Sequence, residues 1–530
     1  MKRLTLHIFV LDDVIGEQTM SATTSDSQEE HGRTPSLAAS LLVFGVMIGL
    51  IVLSVVLFGA DVAEGPLQVS MSLATIFALM VSIFYGYRGA LISQAIVTSV
   101  NGTLGTIFAL LAIGAIIGTL YLSGTVAAFI YYGVEILSPG IYYVVVFALA
   151  SLLSMLLGSC FTAAAAVGVP FVGLAALMGV SPAITAGAAV SGAMLGDKTA
   201  RISDTALLTI ATVGGVTIED HSRMVLRTAI PAVIVSAFLY LGLGLFGNTG
   251  TSPIDPAQIQ ESISQYFNVS LLAFLPIVLV VAFSAFRFSA FISLMLSAII
   301  AALLAAFTQH DLIVSLAGDP SLSYVESALR VGIDTIGNGF QLTSGNAQLD
   351  GLFSGGGSSS MLTTIWLILA AASFGAVADY TGMLTQIVTP VINWTRGPAT
   401  LILATMLTSM GLNTVAADPY VSIVLAARMF RKEYEKERLK PVTLSTSIAD
   451  SGTVFSSIVP WNVNGAFFAG TLGISTFAFA PFTFLAFLSP LFTLIIGFLY
   501  FRKDRLPSDD DATAVYGKEP QELPSQNLTA

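Results

Sequence analysis

Apolar runs long enough to cross a lipid bilayer recur along almost the whole chain, from Leu37 to Phe501. The clearest occupy 37–58, 67–85, 104–122, 141–157, 225–246, 271–286, 288–307, 361–378, 401–410 with its extension, and 477–500. At about 20 residues per crossing they allow roughly 10–12 spans. A backbone amide in lipid must find its partner within the spanning structure, and the runs lack the alternation of barrel strands. The expected fold is therefore an all-α polytopic membrane protein. Composition agrees: 55% of residues are hydrophobic and 10% charged, where a soluble chain carries about 25% charged residues.

Composition also excludes several classes. The single cysteine, Cys160, rules out an internal disulfide and a cysteine-built metal cluster. Four histidines without HExxH spacing leave no zinc signature. No resident cofactor, enzymatic activity or nucleic-acid partner is expected. The net charge of −11 marks no ligand. Much of the acid lies in the ends, as in Glu29-Glu30 and Asp509-Asp510-Asp511, where solvated, disordered tails account for it. Lys2 and Arg3 precede an apolar stretch too short to span, ending at Asp12-Asp13; a start at Met20 is equally readable.

Five regions follow. Residues 1–35 read as a polar tail, 36–247 as a first membrane half, 248–268 as a linker free of Lys and Arg, 269–501 as a second half, and 502–530 as an acidic tail. Arg428, Arg431, Lys432, Lys436, Arg438 and Lys440 crowd one loop, and Arg502, Lys503 and Arg505 follow the last span. Both groups should be cytoplasmic, with the C-terminus, in a prokaryotic inner membrane. The chain between them must cross an even number of times, which one broken segment (448–473) and one full span provide. The expected partners are lipid and a small ion; self-association into a homo-oligomer stays open.

Three polar segments interrupt the apolar pattern. The first, 191–205, holds Asp197, Lys198, Arg201, Ser203, Asp204 and Thr205. A charge at mid-bilayer costs at least about 2.5–3.5 kcal/mol, so such groups need pairing, water or a function. On a continuous helix Asp197, Arg201 and Asp204 would share one face. That face could be a self-neutralising ladder joining helices, a cytoplasmic loop, or a carboxylate site exchanging a cation for a proton. Gly192 and Gly196 are expected to let the backbone unwind and expose carbonyls. The second segment, 450–464, offers Asp450, Ser451, Thr453, Ser456, Ser457, Asn462 and Asn464 around Pro460, with Trp461 as a packing or interface aromatic. Asp450 reads equally as a helix cap or as a site carboxylate. The third, 411–420, has Asn413 one turn before Asp418-Pro419, which reads as an N-cap with proline at N1, or as a half-helix end in a cavity. Ser191-Gly192 and Ser451-Gly452 open interrupted segments about 260 positions apart, the pairing of broken segments found in transporter halves.

Gly196-Asp197-Lys198 with Ser203-Asp204-Thr205 resembles the GDK…SDTT signature of the NhaC-type Na+/H+ antiporter family. Asn413, Asp418-Pro419-Tyr420 and Arg428-Met429-Phe430 resemble its later block. Asp450-Ser451-Gly452-Thr453, Pro460-Trp461-Asn462, Gly465 and Gly470-Thr471-Leu472-Gly473 resemble its DSGT…PWN…GTLG stretch. The resemblance runs over 158–473 with order and spacing kept. It implies two inverted repeats with broken helices at the midplane. It also implies Na+/H+ exchange, or in some members sodium- or proton-coupled exchange of organic acids such as malate and lactate. Two positions depart from the pattern: Ala200-Arg201 stands where the family usually has Ser-Pro, and Pro419 where it has Gln. Arg201 could hold a substrate carboxylate, tune Asp197 or Asp204, or occupy a cation's place. An intramembrane aspartyl protease needs Gly-x-Gly-Asp, whereas this chain has Met194-Leu195-Gly196-Asp197, and Ala378-Asp379-Tyr380 reverses the partner motif. No channel filter is visible.

Overall fold

Ser36 Oγ accepts from the Ala39 amide at 3.3 Å and so satisfies one of the orphan donors at the start of the first helix. This and the following elements come from a computed structural model describing residues 32–247, 256–345, 350, 353–500 and 505–516. The readings of 1–31, 248–255 and 517–530 lie outside the described residues. The elements that build the site are α1 (Leu37–Phe58), α2 (Pro66–Phe84), α3 (Gly89–Leu122), α4 (Tyr142–Leu157), α5 (Pro182–Thr199), α6 (Asp204–Val213), α7 (Ile218–Phe246) and α8 (Ala290–Thr308). They continue with α9 (Leu362–Tyr380), α10 (Pro398–Val415), α11 (Pro419–Lys436), α12 (Pro441–Ile448), α13 (Val463–Leu472), α14 (Phe484–Tyr500) and α15 (Asp509–Tyr516). Strand-like pairing among the described residues is limited to two isolated bridges.

Among the described residues seven helices are long and apolar enough to span, and Val463–Leu472 with Thr476–Phe482, bent by 94°, makes an eighth candidate. Among six shorter apolar helices, Tyr142–Leu157, Leu271–Ala285 and Phe484–Gly497 lie on runs that the sequence reads as whole spans. Caps and glycines bound some of them: Gly158 closes Tyr142–Leu157, and Ser203 opens and Gly214 closes Asp204–Val213. Outward-facing apolar side chains such as Phe84, Phe246 and Phe307 are 87–88% exposed, as lipid contact requires, while the polar side chains of α5 and its partners are buried. The protein is a multi-pass membrane protein.

Gly192 and Gly196 do not unwind the chain. Both lie inside the continuous helix α5. A Cβ on Gly192 would meet Phe147 O at 2.6 Å, and one on Gly196 would meet Ser154 C at 2.1 Å. Their spacing is the small-xxx-small pattern that lets two membrane helices touch backbone to backbone, here α5 and α4.

The order of elements recurs. In the first half α4, a break, a helical run from Cys160 to Leu177, α5, a break and α6 follow one another. About 260 positions later come α10, a break, α11, α12 with its continuation to Ile458, a break and α13. Proline opens both α5 and α12. The tail also departs from expectation. Asp509–Tyr516 is a helix capped by Ser508 and docked on the basic loop: Tyr516 Oη donates to Leu439 O at 2.9 Å, and Leu506 N to Arg438 O at 2.6 Å.

Candidate cation site

The first polar cluster forms where two helix breaks meet. Helix α4 ends at Gly158 with φ +67°, and a Cβ there would strike Ile202 Cγ1 at 2.6 Å. Only glycine serves this position, for conformation and for space. Ser159 caps the next turn, which begins at Cys160 and passes through a π-helical stretch, Ala164–Gly168. Opposite, α5 stops at Thr199, and Ser203 caps α6. Asp197, Arg201 and Asp204 therefore do not share a helical face. Asp197 is 5% exposed. Ser203 Oγ donates to its Oδ1 at 3.1 Å, and Thr205 Oγ1 donates to the Asp197 carbonyl at 3.0 Å. The Cys160 thiol is a further hydrogen-bond partner of the carboxylate. Tyr420, on α11, lies in the field of Asp197, Asp204 and Asp418. Arg201 is exposed in the turn and forms no ion pair among the described residues.

The second crossing is laced by amides. Ala417 takes φ +58° between α10 and α11, an uncommon conformation for a side-chain residue, and its carbonyl accepts from Val463 N at 2.9 Å. Asp418 caps α11 as the sequence indicates, with Oδ1 accepting from Tyr420 N at 2.7 Å and Val421 N at 3.0 Å. Asn413 Nδ2 donates to Ser409 O, Ser422 Oγ and Gly452 O at 2.9–3.0 Å. Asn462 Nδ2 donates to Asn413 O at 3.0 Å, and its Oδ1 caps α13 through Asn464 N at 3.0 Å. Trp461 is no free interface aromatic: its Nε1 donates to Thr414 O at 2.6 Å.

Lys198 points away from its neighbour Asp197 and meets Asp450 at 2.6 Å; neither side chain has any solvent contact. Asp450 Oδ1 also accepts from Ser489 Oγ at 2.9 Å, and Oδ2 from Thr228 Oγ1 at 2.6 Å and from Thr493. Lys198 reaches Ser489 as well. Four donors on one carboxylate make a closed, neutral pair. Asp450 is neither a solvated cap nor a member of the Asp197 cluster. His221 is buried nearby, its Nδ1 2.9 Å from Ser445 Oγ.

The Na+/H+ antiporter family model matches residues 206–501, more than half of the chain. The chain belongs to that family. An Na(+)/H(+) antiporter NhaC of Alkalihalophilus pseudofirmus is 31% identical over 460 residues, covering 87% of this chain and 95% of the relative. A malate-2H(+)/Na(+)-lactate antiporter of Bacillus subtilis is 27% identical over 467 residues, 88% of this chain and 95% of that one. An arginine/ornithine antiporter ArcD of Halobacterium salinarum is 28% identical over 501 residues, 93% of this chain and 96% of that one.

In this antiporter-family chain the candidate residues thus fall into three groups. Asp197, Ser203 and Thr205 are in contact, with Asp204 and Asp418 facing the same tyrosine. Asn413 and Asn462 lace the second crossing beside them. Asp450 and Lys198 form the separate pair. Ser451 Oγ turns back on its own helix to Ser447 O at 2.6 Å, and Thr453 is buried in a π-helical stretch, Ala449–Thr453. Sequence reading missed Cys160 as a neighbour of Asp197, and Thr228, Ser489 and Thr493 as partners of Asp450. Each is a small polar residue inside an apolar helix, which is the one signal they carried.

Proposed function

We propose that the protein is a Na+/H+ antiporter of the cell membrane that exchanges sodium for protons at Asp197. The observation that carries this is a carboxylate almost without solvent contact, set between two helix breaks, that has hydroxyl partners and no ion pair among the described residues. Na+ is a hard cation and takes oxygen ligands. Asp197, Ser203 and Thr205 supply a carboxylate, hydroxyls and a carbonyl at one point, with Asp204, Asp418 and Tyr420 beside them. A proton and a sodium ion compete for the same carboxylate, so one site suffices for exchange. Lys198 does not neutralise Asp197 because Asp450 holds it.

The recurrent element order supports two repeats, 36–247 and 269–501; the resemblance to the antiporter family adds that they are inverted. The basic loop and the tail docked on it support a cytoplasmic C-terminus by the positive-inside rule. The transported ions are then the only ligands, with no resident cofactor.

In everted vesicles Asp197→Asn should abolish Na+-driven collapse of a pH gradient while the chain still inserts. In the wild type, apparent Na+ affinity should weaken as pH falls. Wild-type exchange by the variant would remove Asp197 from the site. A second reading is exchange of a small organic anion or amino acid. Arg201, exposed and unpaired in the turn beside the site, favours it as a fork for a carboxylate. The same vesicles separate the two readings: sodium alone collapses the gradient only under the first.

A further inference from the structure

Helices α3 and α9 enclose a cavity of about 460 Å³ whose wall includes Gln94, Thr98, Gly375, Asp379, Ala416 and Val421. Its inner end is the second helix break. Gly375 lies against Ala416, where a Cβ would come 2.4 Å from the Ala416 carbonyl, and Val421 belongs to the first turn capped by Asp418. Its outer end is Asp379, near the close of α9. Asp379 is exposed and lies in the field of Arg428, yet no ion pair within 4 Å joins them among the described residues. From Val421 to Arg428 helix α11 rises about 10 Å at 1.5 Å per residue, so the cavity runs from the basic side of the molecule inward to the break.

The wall that α3 contributes carries polar groups where lipid would demand otherwise. Gln94 and Thr98 stand at i and i+4 among Leu91 and Ala95 and are exposed, and the stripe continues beyond the cavity to exposed Asn101 at i+7. A polar stripe and a carboxylate exposed along spanning helices are stable when they line water rather than acyl chains. The same end of the molecule gathers Arg33, Arg88 and Arg428. Arg33 N donates to Tyr85 O at 2.9 Å and Tyr87 Oη to Thr381 O at 3.1 Å, which ties the ends of α2 and α9 together there.

We propose that this cavity is the aqueous vestibule connecting the basic side of the molecule to the second crossing, which Asp418 caps beside the Asp197 cluster, and that Asp379 gathers monovalent cations at its mouth. The inference rests on the Na+/H+ reading for the identity of the cation. A carboxylate at the mouth of a low-dielectric funnel raises the local concentration of counter-ions. Arg428 nearby keeps the attraction weak enough for the cation to move on, as passage requires.

Two measurements on the full-length protein in everted vesicles test this. Asp379→Asn should raise the apparent KM for Na+ about fivefold with the maximal rate kept, and the rise should shrink as choline chloride is added, since an exposed charge is screened by salt. Independently of transport, Thr98→Cys should react with membrane-impermeant thiol reagents while buried Cys160 in the wild type stays silent. A cationic reagent should react faster than an anionic one, and Asp379→Asn should abolish that preference; Gln94→Cys serves if Thr98→Cys fails to insert. Failure of both cysteines to react from either side would overturn the vestibule. Reaction without charge preference, together with an unchanged KM, would overturn the role of Asp379. Neither result bears on Asp197→Asn, whose outcome tests the exchange site alone.

Discussion

Lys198 carries the most expensive burial in the molecule. Its ammonium has no solvent contact and survives because Asp450 meets it at 2.6 Å and hydroxyls fill the remaining sites on the carboxylate. Removing one partner leaves a naked charge, which costs about 3–5 kcal/mol. Lys198→Ala should therefore lower the thermal stability of the detergent-solubilised protein steeply. The double variant Lys198→Met with Asp450→Leu should recover much of the loss, since an apolar pair can replace a buried ionic one. A single variant as stable as the wild type would show that the pair does not hold α5 in place. The partners stand 252 positions apart, and no local pattern links them. The sequence marked both residues as anomalies in an apolar setting and left Asp450 between a helix cap and a site carboxylate, because which carboxylate faces which cation is decided by how α5, α7 and α14 pack.

At the scale of the element, caps and glycines decide where helices stop and how closely they meet. Asp418-Pro419 was legible as a helix start, since an N-cap acceptor and a proline at N1 act locally; Asn462, read only as an oxygen donor, caps α13. The end of α5 at Thr199 was not, because Arg201, four residues after Asp197 and three before Asp204, imitates a continued face. Nor was the role of Gly196, where glycine reads equally as a hinge or as a contact. Gly196→Ala should cost about 1–3 kcal/mol through overpacking against Ser154, whereas Gly45→Ala in α1, with open space around the new Cβ, should be neutral or slightly stabilising. Equal effects of the two substitutions, read from fraction folded after heating, would contradict the α4–α5 contact.

At the scale of the whole molecule, apolar runs gave the membrane class, while the docking of the acidic tail on the basic loop needed three dimensions. The surface ion pairs Arg438–Asp509 and Arg505–Glu437, at 3.4 and 3.0 Å, contribute little in water. Tyr516, 4% exposed with its hydroxyl on Leu439 O, anchors the segment. Tyr516→Ala should accelerate tryptic cleavage after Arg438 in everted vesicles severalfold; an unchanged rate would mean that the tail does not protect the loop. The two helix crossings differ in stiffness. The second is pinned by direct hydrogen bonds from Trp461, Asn462 and Val463 to the Asn413–Ala417 stretch, each contributing about 0.5–1.5 kcal/mol net. No hydrogen bond joins residues 158–159 to 200–203 in the first, among the described residues; Gly158 and Ile202 meet there by van der Waals contact, and the Cys160 thiol reaches the Asp197 carboxylate beside it. If one half of the molecule rocks against the other, the pinned joint is the pivot and the loose joint is the one that slips, so the carboxylate at Asp197 rides on the side that moves.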